Sequence, residues 1–291
     1  MDIRDFRLIA ALHENARQSY RSLGRHISLS SPAVRDRLRR LQRCDILNGF
    51  WLSIDPGIFG RDDLLVFFRG EWTRKEALRA LTAPEVAWVA WKMNGWLTVQ
   101  LWPRDPRQAL TALTRALGTR AFGKTLGDRR HYHKHLATID WQIIDALIDD
   151  PKYPFKQLCQ STGLSPKTVR RHLAMLTEEE IIYILPRLGP LSDSGEIVYH
   201  LAVFGSVSVS DLYRMMGSDD TILLNATQNP PVRYMLCRSS SLTDVTTKTG
   251  GISKLSGVKS VVVDLNREIF VNTSFIHSLV RENIPDNTVS K

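Results

Sequence analysis

The chain contains the segment Leu29-Ser-Ser-Pro-Ala-Val-Arg-Asp-Arg-Leu-Arg-Arg-Leu41, and an offset of 135 residues places it on Leu164-Ser-Pro-Lys-Thr-Val-Arg-Arg-His-Leu-Ala-Met-Leu176. In both copies a serine precedes apolar residues at i, i+4 and i+7, the pattern of a capped helix with one buried face. The same gapless offset aligns Asp5 with Asp140 and Ile46 with Ile181. Any two amphipathic helices align to some extent, but one fixed offset that also covers the turns predicts a true internal repeat.

Each copy opens with three short predicted helices, assigned to residues 1–55 and 136–186. In the first copy the helices are Ile3–His13, a second helix capped by Ser19, and a third from Ser30 to Arg43. A capped and basic third helix is the arrangement that enters the DNA major groove. The Asn48-Gly49 turn and the alternation that follows it predict a short β wing.

The candidate DNA-binding residues lie on the two third helices. Arginine side chains there can bind phosphate or make bidentate contacts to guanine. The second helix is less basic, so we expect the first copy to contribute more affinity. The candidates are Ser30, Ser31, Ala33, Arg35, Asp36, Arg37, Arg39, Arg40 and Arg43 in the first copy, and Ser165, Lys167, Thr168, Arg170, Arg171 and His172 in the second.

A three-helix module used only for protein contacts is the alternative interpretation. Such an assembly or co-regulator module predicts neutral outer faces on the third helices. The crowding of arginines in residues 17–43 contradicts that expectation.

Composition supports an anionic partner and excludes several other classes of protein. The 291 residues carry a net charge of +9, from 39 Lys+Arg against 30 Asp+Glu, which favours double-stranded DNA. Three scattered cysteines indicate neither a disulfide framework nor a zinc site. The sequence shows no signal peptide, membrane span, phosphate loop or hydrolase motif, so a cytoplasmic non-enzyme without a cofactor or a membrane partner is expected.

An α/β part follows each helical part, over residues 60–133 and 195–268. Both have a β-α-β-β-α-β order, which predicts an antiparallel sheet with helices on one face, as in ferredoxin-like domains. The fold class is therefore α+β, with two tandem winged helix-turn-helix domains, each followed by a ferredoxin-like domain. In the tail, residues 269–291, Phe275, Ile276, Leu279 and Val280 suggest a helix packed on a neighbouring element.

The helical segments resemble the Lrp/AsnC regulators. The resemblance is carried by Asp5-Phe-Arg-Leu-Ile-Ala-Ala-Leu-His-Glu-Asn-Ala-Arg-Gln-Ser-Tyr20, by Leu29–Leu41 and by Asp45-Ile-Leu-Asn-Gly49. In the α/β parts it is carried by element order and by Leu255-Ser-Gly-Val258. It implies DNA-binding regulation, assembly into a homo-oligomer through the α/β domains, and often an amino-acid effector. With two units on one chain, it also implies that the chain forms a pseudo-dimer by itself.

The effector region of that family lies near the β hairpin, which points here to Asn94, Gly95, Trp96 and, in the second copy, Asn229. Leu97 and Thr98 stand where the family has acids, so the partner for an amino-acid ammonium group is missing. Another small-molecule effector is the alternative.

The tryptophans of this sheet either line an aromatic pocket or pack the sheet and an interface. Packing is the interpretation we favour for aromatic residues at this spacing. They are Trp88, Trp91, Trp96 and Trp102.

Two further features suggest other chemistry. His131, His133 and His135 alternate as metal ligands can, but no acid or cysteine stands beside them, so a basic linker and no metal is the prediction. Some sirohaem decarboxylases resemble Lrp/AsnC proteins and carry a His-Asn-Tyr stretch in the first strand of the α/β part. Asp63–Arg69 has none of these residues, which argues against that enzyme.

Overall fold

The computed structural model describes residues 1–127, 130, 132, 135–189 and 196–285. The first half contains α1 (Ile3–Glu14), α2 (Tyr20–Ile27), α3 (Ser31–Arg43), β1 (Leu47–Ile54), β2 (Leu64–Phe68), α4 (Arg74–Leu81), β3 (Val86–Lys92), β4 (Leu97–Leu101), α5 (Pro106–Leu117) and β5 (Gly123–Leu126). The second half contains α6 (Thr138–Ile148), α7 (Phe155–Thr162), α8 (Pro166–Glu178), β6 (Ile182–Leu188), β7 (Ile197–Gly205), α9 (Val209–Met216), β8 (Thr221–Gln228), β9 (Pro231–Ser239), α10 (Leu242–Ile252), β10 (Val258–Asp264), β11 (Asn266–Val271) and α11 (Thr273–Arg281). Short 3-10 helices span Pro56–Phe59 and Ser218–Asp220.

Local sequence signals define the helix-turn-helix units. Ser30 accepts a hydrogen bond from the backbone N–H of Ala33, and Ser165 accepts one from Thr168, so both third helices have the predicted serine cap. The preceding turn needs a left-handed residue, which is Ser28 in the first copy and Gly163 in the second, at φ 54° and 66°. The two units therefore share the turn that sets the angle between their second and third helices.

The two helix-turn-helix units are joined by a two-stranded antiparallel ribbon of β1 and β6. Leu52 pairs with Ile184 and Ile54 with Ile182. This corrects the expectation of a wing made by a local hairpin, because Asn48 and Gly49 lie within β1 rather than at a hairpin turn. Each unit contributes one strand, and the partner strand comes from the other copy.

The α/β parts form two antiparallel sheets with the strand orders β11-β3-β4-β2-β5 and β10-β7-β9-β8. Each contains the predicted β-α-β-β-α-β unit. Helices α4 and α5 bury Ala77, Ala80 and Leu113 against the first sheet. Helices α9 and α10 cover the second sheet in the same way. The opposite sheet faces turn toward each other, and the rings of Phe67 and Tyr234 stack across this space at 6.4 Å.

The end of the described chain crosses from the second half to the first. Strand β11 spans the predicted boundary between the second α/β domain and the tail, and it pairs with β3 as an unpredicted edge strand of the first sheet. Helix α11 then buries Ile276, Leu279 and Val280 in the apolar core that contains α6. The C-terminal segment thus connects the first sheet to the second helix-turn-helix unit. Within the described residues, no helix is long and apolar enough to cross a membrane.

Candidate nucleic-acid interface

The outer face of α3 presents a group of exposed basic side chains. The side chains of Arg35 and Arg39 are 49% and 63% exposed, and Arg43 is also exposed. Asp36 lies on the same face, but its distances to Arg35 and Arg39 are 3.8 and 4.0 Å, too long for tight hydrogen-bonded pairs. These arginines can therefore leave Asp36 for a phosphate or a guanine edge without breaking a strong internal contact.

Arg37 points in a different direction. Its guanidinium lies 2.8 Å from a carboxylate oxygen of Asp2 and 2.7 Å from one of Asp5, and its side chain is only 19% exposed. Burial tends to raise the pKa of Asp2, but the hydrogen bonds from Arg37 and from the Asp5 backbone lower it overall. The structure therefore makes Arg37 a residue that fixes α3 to α1, which corrects its placement in the DNA-facing set.

Arg40 has an intermediate position. Its guanidinium lies 2.5 Å from the fully buried carboxylate of Asp5, although its side chain is 49% exposed. Asp5 also accepts a backbone hydrogen bond from Asp2. One carboxylate thus organises the start of α1 and the inner edge of α3, while Arg40 keeps donors at the surface.

Helix α8 repeats this geometry with fewer charges. Lys167, Arg170 and Arg171 are exposed, and the guanidinium of Arg170 lies 5.0 Å from the centre of the Phe155 ring. The Thr168 hydroxyl lies 2.9 Å from that of Ser165 at the helix start. His172 is turned inward, with Nδ1 2.6 Å from Asp140, so its placement in the DNA-facing set is corrected as well.

The candidate effector residues do not form one site. Asn94 and Gly95 make the β3–β4 turn, where Gly95 has a φ of +82° and Asn94 accepts a hydrogen bond from the Trp96 backbone. The Trp96 ring lies 5.1 Å from that of Phe122, just before β5. The carbonyl of Asn229 accepts a hydrogen bond from Leu126, at the opposite end of β5. Asn229 is therefore separated from the turn by the length of that strand.

The tryptophans mostly serve packing, as expected. The Trp91 indole donates to the Trp72 carbonyl at 2.7 Å, and Trp102 is buried against Phe59. Trp88 differs, because it lines a cavity between the two sheets and meets Trp51 edge to face at 6.3 Å.

That cavity has a volume of about 670 Å³, and sequence reasoning missed it. The first sheet contributes Trp88, Ala90 and Lys92, and the second contributes His200, Ala202 and Phe204. In each strand these are alternate residues, the one available signal, since alternation places them on one sheet face. The sequence could not show that the two faces meet.

Two of the three alternating histidines, His131 and His133, lie outside the described residues. Among the residues the structure does describe, no group of three or more His, Cys, Asp or Glu side chains is arranged to hold a metal.

Comparison with known families confirms the helix-turn-helix assignments. Residues 1–42 match the AsnC-type helix-turn-helix domain, and residues 136–183 match a winged helix-turn-helix DNA-binding domain. The chain thus contains an AsnC-type helix-turn-helix domain and a second, winged helix-turn-helix domain, in line with the tandem form that its sequence resemblance indicated.

Two curated relatives are helix-turn-helix transcriptional regulators. Ptr1 of Methanocaldococcus jannaschii is 38% identical over 60 residues, and Rv2324 of Mycobacterium tuberculosis is 35% identical over 60 residues. Each match covers 21% of this chain and 40% of the relative's length.

Solved structures resemble the chain more broadly at lower identity. The siroheme decarboxylase NirDL matches 96% of this chain and 98% of its own, with a TM-score of 0.50 and 11% identity. AsnC of E. coli matches 47% of this chain and 97% of its own, with a TM-score of 0.31 and 17% identity. At such identity the NirDL match shows the fold alone.

Proposed function

We propose that this chain is a sequence-specific DNA-binding transcription regulator whose two recognition helices, α3 and α8, act as one unit. The observation that carries the proposal is the β1–β6 ribbon, which ties together two capped helix-turn-helix units with exposed basic faces. In a dimeric regulator of this class, two chains supply the two helices. Here both belong to one chain.

The outer side chains of α3 fall into two groups, one suited to binding phosphates and one suited to reading bases. Arg39 and Arg43 sit far along α3 and suit the phosphate backbone, while Ser31, Ala33 and Arg35 lie near its capped N-terminus, the part of a recognition helix that meets base edges. On α8 the corresponding outer set is Lys167, Thr168, Arg170 and Arg171. The first unit is the more basic, so it supplies most of the salt-dependent affinity.

Selection from random duplex DNA, followed by fluorescence anisotropy across a salt series, tests this proposal. We expect an enriched motif with two half-sites and affinity that falls steeply with salt. In Arg39→Ala/Arg43→Ala the slope of log K against log salt is expected to fall by up to about 2, because up to two phosphate contacts are lost.

The matched control is Arg107→Ala/Arg115→Ala, which removes the same charge from the exposed face of α5. It is expected to bind as the wild type does. Equal losses in the two double variants would mean that only net charge matters, and the absence of both a motif and a salt dependence would contradict DNA binding altogether.

In this proposal the α/β domains mediate assembly and bind the effector. Their sheet faces already meet within one chain, so homo-oligomers form through other surfaces of these domains. A small-molecule effector acts from the same domains and changes the spacing of the recognition helices. Light scattering at several protein concentrations measures the assembly, and a single-chain species at every concentration would contradict it.

A decarboxylase acting on a sirohaem-like tetrapyrrole is the second candidate, favoured by the inter-sheet cavity in a fold that NirDL shares. The chemistry of the walls argues against it. A carboxylate-rich tetrapyrrole needs unpaired cations, and the one Lys or Arg described in the lining, Lys92, already pairs with Asp264. A spectral titration with iron uroporphyrin decides the matter: a saturable shift supports the enzyme, and an unchanged spectrum contradicts it.

A further inference from the structure

We propose that the cavity between the two sheets binds an uncharged, largely apolar molecule bigger than a free amino acid, and that this ligand regulates DNA binding. The binding site stands on the geometry of the cavity. Its regulatory effect rests on the proposed function.

Size and shape define the class of ligand. A volume of about 670 Å³ falls in the range of pockets that enclose drug-sized molecules and exceeds what one amino acid fills. Aromatic and aliphatic side chains from both sheets form most of the wall, among them Phe67, Trp88, Phe204 and Val262. Because both α/β domains contribute, the site exists only where the two halves are assembled.

The charges in the wall are already paired. Lys92 Nζ lies 3.0 Å from Asp264 Oδ1, and Glu196 lies 2.5 Å from the guanidinium of Arg238. Burial lowers the pKa of His200 to about 4, so its ring is neutral near pH 7. The described part of the wall thus offers no unpaired ion for the ammonium and carboxylate of a free amino acid.

The cavity wall also contains two neighbouring polar side chains, Asn266 and His200, that lack hydrogen-bond partners for one atom each. The Asn266 amide lies 3.4 Å from His200 Nε2, while Asn266 Oδ1 and His200 Nδ1 are buried without a hydrogen-bond partner. Buried polar atoms normally have partners. A hydroxyl on an otherwise apolar ligand donates to Asn266 Oδ1, and a hydroxyl or carbonyl oxygen accepts from His200 Nδ1–H.

Several apolar side chains of the cavity lining are also exposed to solvent. Met93, Phe122, Leu242 and Leu265 all line it and are between 38% and 73% exposed. They are four of the seven large exposed hydrophobic side chains in the described part of the chain. Their presence in the lining of one cavity fits the binding of an apolar molecule.

The cavity also touches the elements that hold the recognition helices. Trp51 and Ser53 of β1 and Leu185 of β6 line it, and so do Ile9 and His13 of α1. A ligand that fills the cavity therefore contacts the ribbon that joins the two helix-turn-helix units. Any difference in its affinity for two arrangements of that ribbon becomes a difference in DNA affinity.

The test uses N-phenyl-1-naphthylamine, an uncharged apolar dye whose fluorescence rises in apolar sites. We expect saturable binding of one dye per chain, with no displacement by excess leucine. Ala202→Trp fills the cavity and is expected to weaken binding by at least about tenfold. Ala226→Trp, on an exposed position of β8 outside the cavity lining, is the matched control and is expected to bind as the wild type does.

Each outcome has one meaning. Absence of saturable binding, displacement by leucine, or equal affinity in the two tryptophan variants would overturn the site. If circular dichroism shows that Ala202→Trp does not fold, Thr98→Phe fills the cavity from the opposite wall and is judged by the same criterion. DNA anisotropy with and without dye is measured separately: unchanged affinity would overturn the regulation alone, whereas a chain that binds dye but no DNA removes the proposed function and leaves the site.

Discussion

His172 Nδ1 lies 2.6 Å from Asp140 Oδ1, and this pair occupies the positions that Arg37 and Asp5 occupy in the first repeat, where the contact is 2.7 Å. Both aspartates are buried at the start of their first helix, and both accept a backbone hydrogen bond there. The repeat therefore preserves a fixed connection between the first helix and the third helix, while the partner of the buried aspartate changes from Arg to His.

The first prediction concerns Asp5. In Asp5→Asn the guanidinium groups of Arg37 and Arg40 lose their shared carboxylate, and we expect the free energy of unfolding to fall by about 2–3 kcal/mol. Asp36→Asn, on the exposed face of α3, is the control and is expected to change it by less than about 0.5 kcal/mol. Urea denaturation measures both, and similar values for the two variants would show that Asp5 has no special role.

The second prediction separates stability from DNA binding on one helix. Arg37→Ala removes an inward contact, so it should lower the free energy of unfolding by about 1–3 kcal/mol. The salt dependence of DNA binding should remain that of the wild type. Denaturation and anisotropy on the same sample decide this, and a reduced salt slope in Arg37→Ala would place that side chain on the DNA after all.

The third prediction follows from Asp63, next to β2. Burial raises the pKa of this carboxyl to about 6, although Gln100 donates a hydrogen bond to it at 2.7 Å. A carboxyl whose pKa is raised in the folded state binds more protons there, so stability falls as pH rises from about 4 to about 6. Asp63→Asn should be more stable than the wild type above pH 6, by up to about 3 kcal/mol, and equal to it below pH 4. Denaturation at several pH values tests this, and a constant difference at every pH would contradict it.

The fourth prediction concerns His200, which gives stability the opposite dependence on pH. Burial, with Lys92 nearby, lowers the pKa of His200 from 6.5 to about 4. A histidine with a lowered folded-state pKa contributes stability that is present above about pH 6.5 and lost as pH falls toward 4. His200→Gln should therefore lose less stability than the wild type between pH 7 and 4. A steeper acid loss in the variant would show that His200 is not held neutral by burial.

The fifth prediction concerns Asn272, which begins α11. Its amide nitrogen donates to the carbonyls of Leu81 and Val86 in the first α/β domain, and its oxygen caps the helix at Phe275. Asn272→Ala should lower the free energy of unfolding by about 2–3 kcal/mol, because a cap and two partly buried hydrogen bonds are lost. Asn283→Ala, just after the end of α11, removes one hydrogen bond to the Leu279 carbonyl and serves as the control, and an equal effect there would contradict a special role for Asn272.

Features that depend only on neighbouring residues could be predicted from the sequence. Ser30 and Ser165 cap the third helices as predicted, and the apolar runs on either side of the Asn94-Gly95 turn predicted β3 and β4. These signals act over a few residues, so they can be recognised without a tertiary structure.

Features that depend on distant pairings were not predictable in the same way. Phe50 and Leu52 show the alternation of a strand, but nothing local indicates that Ile184 and Pro186 are their partners. Arg37 stands among exposed arginines in sequence, and only the position of α1 turns it inward. Strand β11 likewise leaves its own half of the chain, and the cavity arises from two sheet faces that meet only in the folded chain.

The most direct test of the central claim, that the two recognition helices act as one rigid unit, is the affinity of the chain for its selected DNA site with altered spacing between the half-sites. Inserting about 5 base pairs, half a helical turn, should reduce affinity by at least about tenfold, and inserting about 10 should restore part of it, since the ribbon of β1 and β6 fixes the two helices on one face of the duplex. Affinity that does not depend on the spacing would contradict the account, because it would show that only one unit binds DNA or that the two bind independently.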